Sequence, residues 1–287
     1  MNTGLIGSEN IDKYSIAHKI WQYIFSHYSP DSTFTYYSIS QKSEVNEILE
    51  KVRVGEIRGV NVALPWKALA AECCDMKTPV VDSTGFANTI YAEGGKLIAD
   101  NTDGVGLIAG LKELPKNTLI YGAGGAGVVL AYELVNRGVS VTVTDINLDK
   151  LTQLKQKSKN WLMSDLVTIQ ESNSTFTGLF EMVVNATPLG RKNLSADLTS
   201  ENYFDQSPLQ QNEIENFNKN SLFVEMNYHP FKTKFLNDAE SMKMDIQVGV
   251  VMLFHQAAMT FELYSGKKVM PPNDFTKFYS DILNLSS

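Results

Sequence analysis

Eleven residues in the middle of the chain, NTLIYGAGGAG from Asn117 to Gly127, restrict the fold more than any other stretch. Thr118, Leu119, Ile120 and Tyr121 have the β-branched and apolar character of a buried parallel strand. Gly122, Ala123, Gly124, Gly125, Ala126 and Gly127 then complete a G-x-G-x-x-G. The run 128–136 reads as a helix, with Gly138 as its stop. In such a turn the first glycine permits the bend, the second lets the backbone approach a pyrophosphate, and the third lets helix and strand pack closely. A short strand, 140–144, follows and ends at Asp145, where the fingerprint expects an acid for the adenosine ribose hydroxyls. Strand, glycines, helix, strand and acid in this order predict an α/β dinucleotide-binding domain. A bare glycine-rich loop would not need the elements on either side.

Composition narrows the partners. The 287 residues are 43% hydrophobic and carry a formal net charge of −7, so no basic face for nucleic acid is expected. No apolar run approaches the ~18 residues of a membrane span; 248–254 is ended by His255 and Gln256. The opening MNTGLIGSENIDK lacks the basic start and apolar core of a signal peptide. The two cysteines, Cys73 and Cys74, are adjacent and expected on one helix. They offer no metal-site spacing and no ordinary disulfide, so they read as buried thiols in a reducing cytoplasm, with no metal site.

The first third of the chain forms its own β-α-β-α unit. A strand is expected at 4–7, a helix at 15–28 with Ile16, Ile20, Tyr23 and Ile24 on one face, and a strand at 33–39. A helix follows at 43–52 with Ser43 as N-cap. Another strand, 59–64, leads to Pro65 and a helix at 66–74. Glu93, Gly94 and Gly95 between short strands at 90–92 and 96–99 are hairpin chemistry. A helix at 105–114 marks the domain change. Beyond Asp145 the pattern gives a helix at 148–158, strands at 180–185, 221–225 and 245–248, and helices at 231–242, 250–264 and 275–283. The segment 191–220 is polar, has no period and reads as a surface excursion.

Outside the glycine turn, Lys67, Asn88 and Asp103 are the residues suited to chemistry, each at a loop or element end. Singly, such residues are solvated charges and turn caps. Their setting resembles the shikimate dehydrogenase family over nearly the whole chain. The matching stretches are Asn61-Val62-Ala63-Leu64-Pro65-Trp66-Lys67, Gly85-Phe86-Ala87-Asn88-Thr89 and Asn101-Thr102-Asp103-Gly104-Val105-Gly106. Further on stand Asn185-Ala186-Thr187-Pro188-Leu189-Gly190, Tyr228-His229-Pro230 and Met252-Leu253-Phe254-His255-Gln256.

The resemblance implies reversible hydride transfer between a nicotinamide and shikimate or 3-dehydroshikimate, in the cleft between two domains. The first is an N-terminal α/β substrate domain, 1–104, completed by 250–287; the second is a Rossmann-type doubly wound parallel sheet, 105–249. Lys67 and Asp103 would flank the reacting hydroxyl. A free lysine is mostly protonated at neutral pH, which suits Lys67 as the acid for ketone reduction, with Asp103 orienting it. Asn88 and Gln256 would bind ring hydroxyls, and Tyr228 would stand near the substrate. Ser15, with Tyr14 as a second hydroxyl, would replace the family's Ser-x-Ser for the substrate carboxylate. Besides the six residues Gly122 to Gly127 and Asp145, the cofactor set would include Asn147, Thr187 and Gly249.

Three positions depart from the family pattern: Ala63 stands where a substrate-facing Thr is usual, Ile146 where NADP-dependent members carry Arg, and Arg191 where Met is usual. Asp145 without that Arg favours NAD over NADP. Quinate or a related polyhydroxy acid is the rival substrate, and a non-catalytic ligand sensor the rival class. A monomer or homodimer is expected, with small-molecule ligands and neither nucleic acid nor membrane.

Overall fold

The computed structural model describes residues 1–172, 176, 180–192 and 203–284, the side chains of Lys13 and Tyr14 aside. The chain divides into two compact units, Met1–Gly106 with Phe254–Ser287, and Leu107–Leu253.

In the first unit, β1 (Asn2–Ser8) leads through the short α1 (Ile11–Tyr14) to α2 (Ala17–Tyr28) and β2 (Thr33–Ile39). Then come α3 (Lys42–Arg53), β3 (Gly59–Val62), α4 (Lys67–Glu72), β4 (Met76–Lys77) and α5 (Pro79–Thr84). The hairpin β5 (Thr89–Glu93) and β6 (Lys96–Asp100) precedes α6 (Asp103–Ala109). The sheet order is β2-β1-β3-β5-β6-β4. β1 and β3 run parallel, with Ile6 opposite Val62; β5 alone reverses, pairing Asn61 with Thr89 and Thr89 with Asp100. One edge of this sheet therefore collects the C-terminal ends of β1, β3 and β6 together with the start of β5. The loops bearing Ser15, Lys67, Asn88 and Asp103 all leave from that edge.

Apolar spacing explains how this unit packs. In α2, Ile20, Trp21, Ile24 and Phe25 form one buried stripe. Trp21 stacks on Phe34 at 5.8 Å and on Tyr264 at 6.1 Å between ring centroids. The Tyr264 ring closes on Gly59, where a Cβ would come within 2.4 Å of it. A bulkier residue there would separate the last long helix from the sheet.

The second unit holds β7 (Asn117–Tyr121), α7 (Gly125–Val135), β8 (Ser140–Asp145), α8 (Leu148–Ser158), β9 (Val167–Glu171) and β10 (Met182–Asn185). They are followed by α9 (Gln211–Ile214), β11 (Leu222–Glu225), α10 (Lys234–Ser241) and β12 (Asp245–Gln247). Its sheet is wholly parallel, in the order β12-β11-β10-β7-β8-β9. That is the doubly wound order with its switch point between β7 and β10. The helix α11 (Gly249–Ser265) follows, and α12 (Phe275–Leu283) is the last described element. No helix among the described residues is long and apolar enough to cross a membrane.

Several expectations need correction. Gln41, not Ser43, caps α3, because its side chain accepts from the third residue's N–H while Glu44 reaches back to the Gln41 N–H. The helix expected at 105–114 begins at Asp103 and stops at Ala109. Within the segment read as a surface excursion, 193–202 lie outside the described residues, but Leu209, Ile214 and Phe217 are buried in the core beneath β10 and β11. Cys73 caps the end of α4 rather than lying on it, and both thiols are free and half-buried. Burial pushes the Cys74 thiol up to about 12.

Candidate active site

Lys67 opens α4 and Asp103 opens α6, thirty-six residues apart. The sheet edge brings them into contact, with Lys67 Nζ donating to Asp103 Oδ2 at 2.5 Å. Their side chains retain 13% and 11% exposure, so the pair is largely desolvated yet open to a small ligand. Asp103 is fixed from three sides. Its backbone N–H donates to Asn101 Oδ1 at 2.9 Å, and Asn101 is itself tied to the Phe86 carbonyl at 2.9 Å. Its second carboxylate oxygen accepts from Asn88 Nδ2 at 2.8 Å. A carboxylate in the first turn of a helix is also favoured by the local backbone dipoles.

The orientation of the Asn88 amide follows from its partners. Asn88 Oδ1 accepts the Thr102 N–H at 2.8 Å and the Thr89 hydroxyl at 2.8 Å. The NH2 group must therefore face Asp103, and it also reaches Gln256 Oε1 at 3.2 Å and Thr102 Oγ1 at 3.1 Å. Thr89, Thr102 and Thr260 complete a buried hydroxyl cluster, Thr260 lying 3.1 Å from Thr89 and 3.2 Å from Thr102. Gly106 lets α6 approach α11 at Gln256, since a Cβ there would stand 2.8 Å from the Gln256 backbone nitrogen. Lys67, Asp103, Asn88 and Gln256 thus form one connected network. The sequence reading missed Thr89, Thr102 and Thr260; the Asn-Thr pairs beside Asn88 and Asp103 were the available signal.

Ser15 is buried, its hydroxyl accepting the Ala17 N–H at 3.2 Å and its carbonyl accepting the Tyr36 hydroxyl at 2.8 Å. Tyr36 in turn meets His18 Nδ1 at 2.8 Å, and burial lowers the His18 pKa. The Tyr14 side chain lies outside the described residues.

In the second unit the three fingerprint glycines have separable reasons. Gly122 has φ +110°, and a Cβ there would strike Ala186 at 2.8 Å. A Cβ at Gly127 would stand 1.9 Å from the Gly122 carbonyl oxygen. Among the described residues a Cβ at Gly124 would meet nothing within 4 Å, and Gly124 caps α7 without a side-chain hydrogen bond. Two glycines serve the fold, while the third leaves room for something outside it. The opening N–H groups of a helix have no partner within it, so this turn fits the phosphates of a dinucleotide.

Asp145 Oδ2 accepts the Ala123 N–H at 2.8 Å and Oδ1 the Asn147 N–H at 2.8 Å. Asn147, rather than Asp145, caps α8, accepting from the Lys150 N–H at 3.1 Å. Ile146 beside them is 88% exposed. Thr187 is tied to Asn185 Oδ1 through its hydroxyl at 2.6 Å and its N–H at 3.0 Å. Tyr228 is half-buried beyond β11. Gly249 packs so closely on Asn227 that a Cβ would stand 2.0 Å from its carbonyl oxygen. Among the described residues no cluster of His, Cys, Asp or Glu could hold a metal ion.

Residues 6–90 match the shikimate dehydrogenase substrate binding domain. A shikimate dehydrogenase (NADP(+)) of Bacillus cereus is 28% identical over 272 residues, 92% of each chain. The chain is thus similar to shikimate dehydrogenases over nearly its whole length. Two solved structures share the fold of this chain. Shikimate 5-dehydrogenase from Thermus thermophilus, in complex with NADP(H) and shikimate, has 24% identity and a TM-score of 0.79, covering 94% of this chain and 95% of that one. The enzyme from Listeria monocytogenes, in complex with shikimate and NAD, has 20% identity and a TM-score of 0.80, covering 98% and 96%. Lys67, Asn88, Asp103 and Gln256, expected at the site from the resemblance, are joined in one hydrogen-bond network.

Proposed function

We propose that this NAD(P)-dependent oxidoreductase interconverts shikimate and 3-dehydroshikimate, with Lys67 as the proton-transferring group. The supporting observation is the desolvated Lys67–Asp103 pair, braced by Asn88 and left accessible at one edge of the first unit's sheet. Substrate binding is assigned to 1–104 with 250–287, and dinucleotide binding to 105–249. The turn at Gly122 to Gly127 would hold the pyrophosphate, with Asp145 at the adenosine ribose; the bound nicotinamide supplies or accepts the hydride.

The chain's own residues handle the proton. When the ketone is reduced, the substrate oxygen gains a proton as its carbon gains hydride, and Lys67 Nζ donates that proton. In the reverse direction Lys67, as the amine, takes the hydroxyl proton while the C–H bond releases hydride. A positioned acid–base group of this kind contributes on the order of a hundredfold to ten-thousandfold. Asp103 holds Nζ in place by accepting its hydrogen bond, and Asn88 orients Asp103 and would bind a ring hydroxyl. Gln256, in contact with Asn88, offers a second polar anchor. Ser15 would contribute to the carboxylate site, and Tyr228 and Gly249 would lie toward the substrate and the nicotinamide.

NAD is the proposed preferred dinucleotide. Asp145 offers carboxylate oxygens to ribose hydroxyls, and no guanidinium stands at Ile146 to receive a phosphate. A quinate-type substrate is the second reading, favoured by Ala63 in place of the usual Thr and by the altered serine pair. Nicotinamide absorbance, followed with shikimate and with quinate and each of NAD and NADP, tests all of these. Turnover of neither acid with either dinucleotide would overturn the enzymatic reading in favour of a ligand sensor.

A further inference from the structure

One charged group in the second unit has no place in the chemistry above. Glu225, the last residue of β11, is fully buried, and its carboxylate accepts four hydrogen bonds. Oε2 takes Asn185 Nδ2 at 2.9 Å and Thr233 Oγ1 at 2.6 Å. Oε1 takes the Asn227 N–H at 2.9 Å and Asn227 Nδ2 at 2.8 Å. Among the described residues no cation donates to this carboxylate. The ionisable groups on the packed elements are Asp245 of β12, with Lys234, Asp238 and Glu240 of α10, and Tyr228, His229 and Lys232 in the intervening turn. Lys234 is paired with Asp238 and Lys232 with Glu240. A buried carboxylate without a counterion is costly to keep, which makes its position informative.

The same two asparagines hold the loop after β10. Asn185 Nδ2 also donates to the Leu189 carbonyl at 3.0 Å, and its Oδ1 accepts the Thr187 N–H and hydroxyl. Asn227 Nδ2 donates to the Thr187 carbonyl at 2.9 Å and the Leu189 carbonyl at 3.2 Å. Thr233 packs beneath Gly190, where a Cβ would stand 2.8 Å from the Thr233 Cβ. This loop begins against the glycine turn, since a Cβ at Gly122 would meet the Thr187 nitrogen at 3.0 Å. It lies at the C-terminal ends of β7 and β10, where doubly wound sheets bind their ligands.

We propose that Glu225 is a positioning residue for dinucleotide binding, fixing the 187–189 loop against the glycine turn through Asn185 and Asn227. The carboxylate selects the direction of both amides. With its oxygens accepting from both NH2 groups, Asn185 is left to present its oxygen to Thr187, and the remaining donor capacity of both amides turns to the loop carbonyls. A glutamine at 225 is nearly isosteric but puts an NH2 against these donors, so at least one amide must turn or lose its partner.

This inference rests on the dinucleotide reading, and the experiment separates the two. NADH and NADPH are titrated by fluorescence into the wild-type chain, E225Q, N227A and the double variant, and shikimate affinity is measured by calorimetry on the same samples. The expected result for E225Q or N227A is dinucleotide binding weakened about tenfold, the loss of one hydrogen bond to a charged group, with shikimate affinity unchanged. The double variant should weaken binding little beyond the worse single variant, because both residues act along one chain of contacts. Wild-type dinucleotide affinity in E225Q, a parallel loss of shikimate affinity, or independent losses in the double variant would overturn the assignment. If the wild-type chain binds neither dinucleotide, the reading beneath it falls as well. Should E225Q fail to fold, N227A alone decides by the same readouts.

Discussion

Replacing Asp103 with Asn while keeping Lys67 tests the centre of the proposed mechanism. The substitution keeps the shape of the side chain but removes its charge. Asp103 now accepts from Lys67 Nζ at 2.5 Å and from Asn88 Nδ2 at 2.8 Å. An asparagine oxygen can keep one of these bonds, and its NH2 then faces the other donor. The loss of one charge-assisted hydrogen bond is worth about 1.5–3 kcal/mol. An ammonium left without its partner adds to this, up to about 3–5 kcal/mol for a fully buried pair. With side chains 13% and 11% exposed, water recovers part of that cost. About 3 kcal/mol is therefore the working figure, equivalent to a fall of roughly a hundredfold in kcat if the pair holds the proton donor in its reactive position. Lys67→Ala, which removes the donor itself, should cost a hundredfold or more. The double variant should lose much less than the product of the two. Initial rates of nicotinamide oxidation and reduction at saturating substrate give all three values. Near-normal turnover in Lys67→Ala, or a double variant whose losses multiply, would refute the reasoning.

Other consequences are as direct. In wild type, kcat/KM should favour NAD by about tenfold, because the NADP phosphate would repel Asp145 by roughly 1 kcal/mol in water-like surroundings and more where water is excluded. Asp145→Asn with Ile146→Arg should narrow or reverse that ratio, and a wild type that favours NADP tenfold would sink the idea. Ser15→Ala should raise KM for shikimate about threefold to tenfold, the worth of one hydrogen bond, and leave dinucleotide affinity unchanged; an unmoved KM would remove Ser15 from the substrate site. Burial pushes the Glu225 pKa from 4.5 up to about 7. The folded chain then binds this proton more tightly than the unfolded chain, so the group's contribution to stability is complete below about 4.5 and is lost as pH rises through about 7. The Tm of wild type minus that of E225Q should fall across this window in calorimetry; a flat difference contradicts the assignment.

The parts of the fold legible in the sequence are those with a repeat. The bounds of β2, α8 and α12 follow from alternation or helical spacing alone. The segment around Leu209, Ile214 and Phe217 buries apolar side chains one at a time between short turns. Such a segment leaves no period to read, and its polar neighbours disguised it as surface. The strand β9 was missed for a related reason, because it is an edge strand with half-buried and exposed residues and no apolar run. The cap of α3 was misplaced because Ser43 has the better intrinsic preference, but Gln41 and Glu44 close a reciprocal pair that only backbone geometry reveals.

The candidate site divides in the same way. Lys67, Asn88 and Asp103 stood out by motif, but their mutual contact depends on the strand pairings that set Asn61 opposite Thr89 and Thr89 opposite Asp100. Nothing in the local sequence says that Asn88 turns its amide toward Asp103. That follows from the Thr102 N–H, fourteen residues away. Glu225 was read only as the end of a strand, because a buried carboxylate is recognised by its donors, and those lie 40, 8 and 2 residues distant.

The three glycines of the dinucleotide turn also differ in what holds them in place over evolutionary time. Side chains at Gly122 and Gly127 collide with backbone, so any descendant that keeps this fold must keep them, whatever it binds. Among the described residues nothing crowds Gly124, and these alone would tolerate alanine there. Relatives that have abandoned the nucleotide should therefore drift at this position first while the rest of the motif survives. A surviving glycine at 124 is a record of continued use, and its loss in a lineage would date the change of trade.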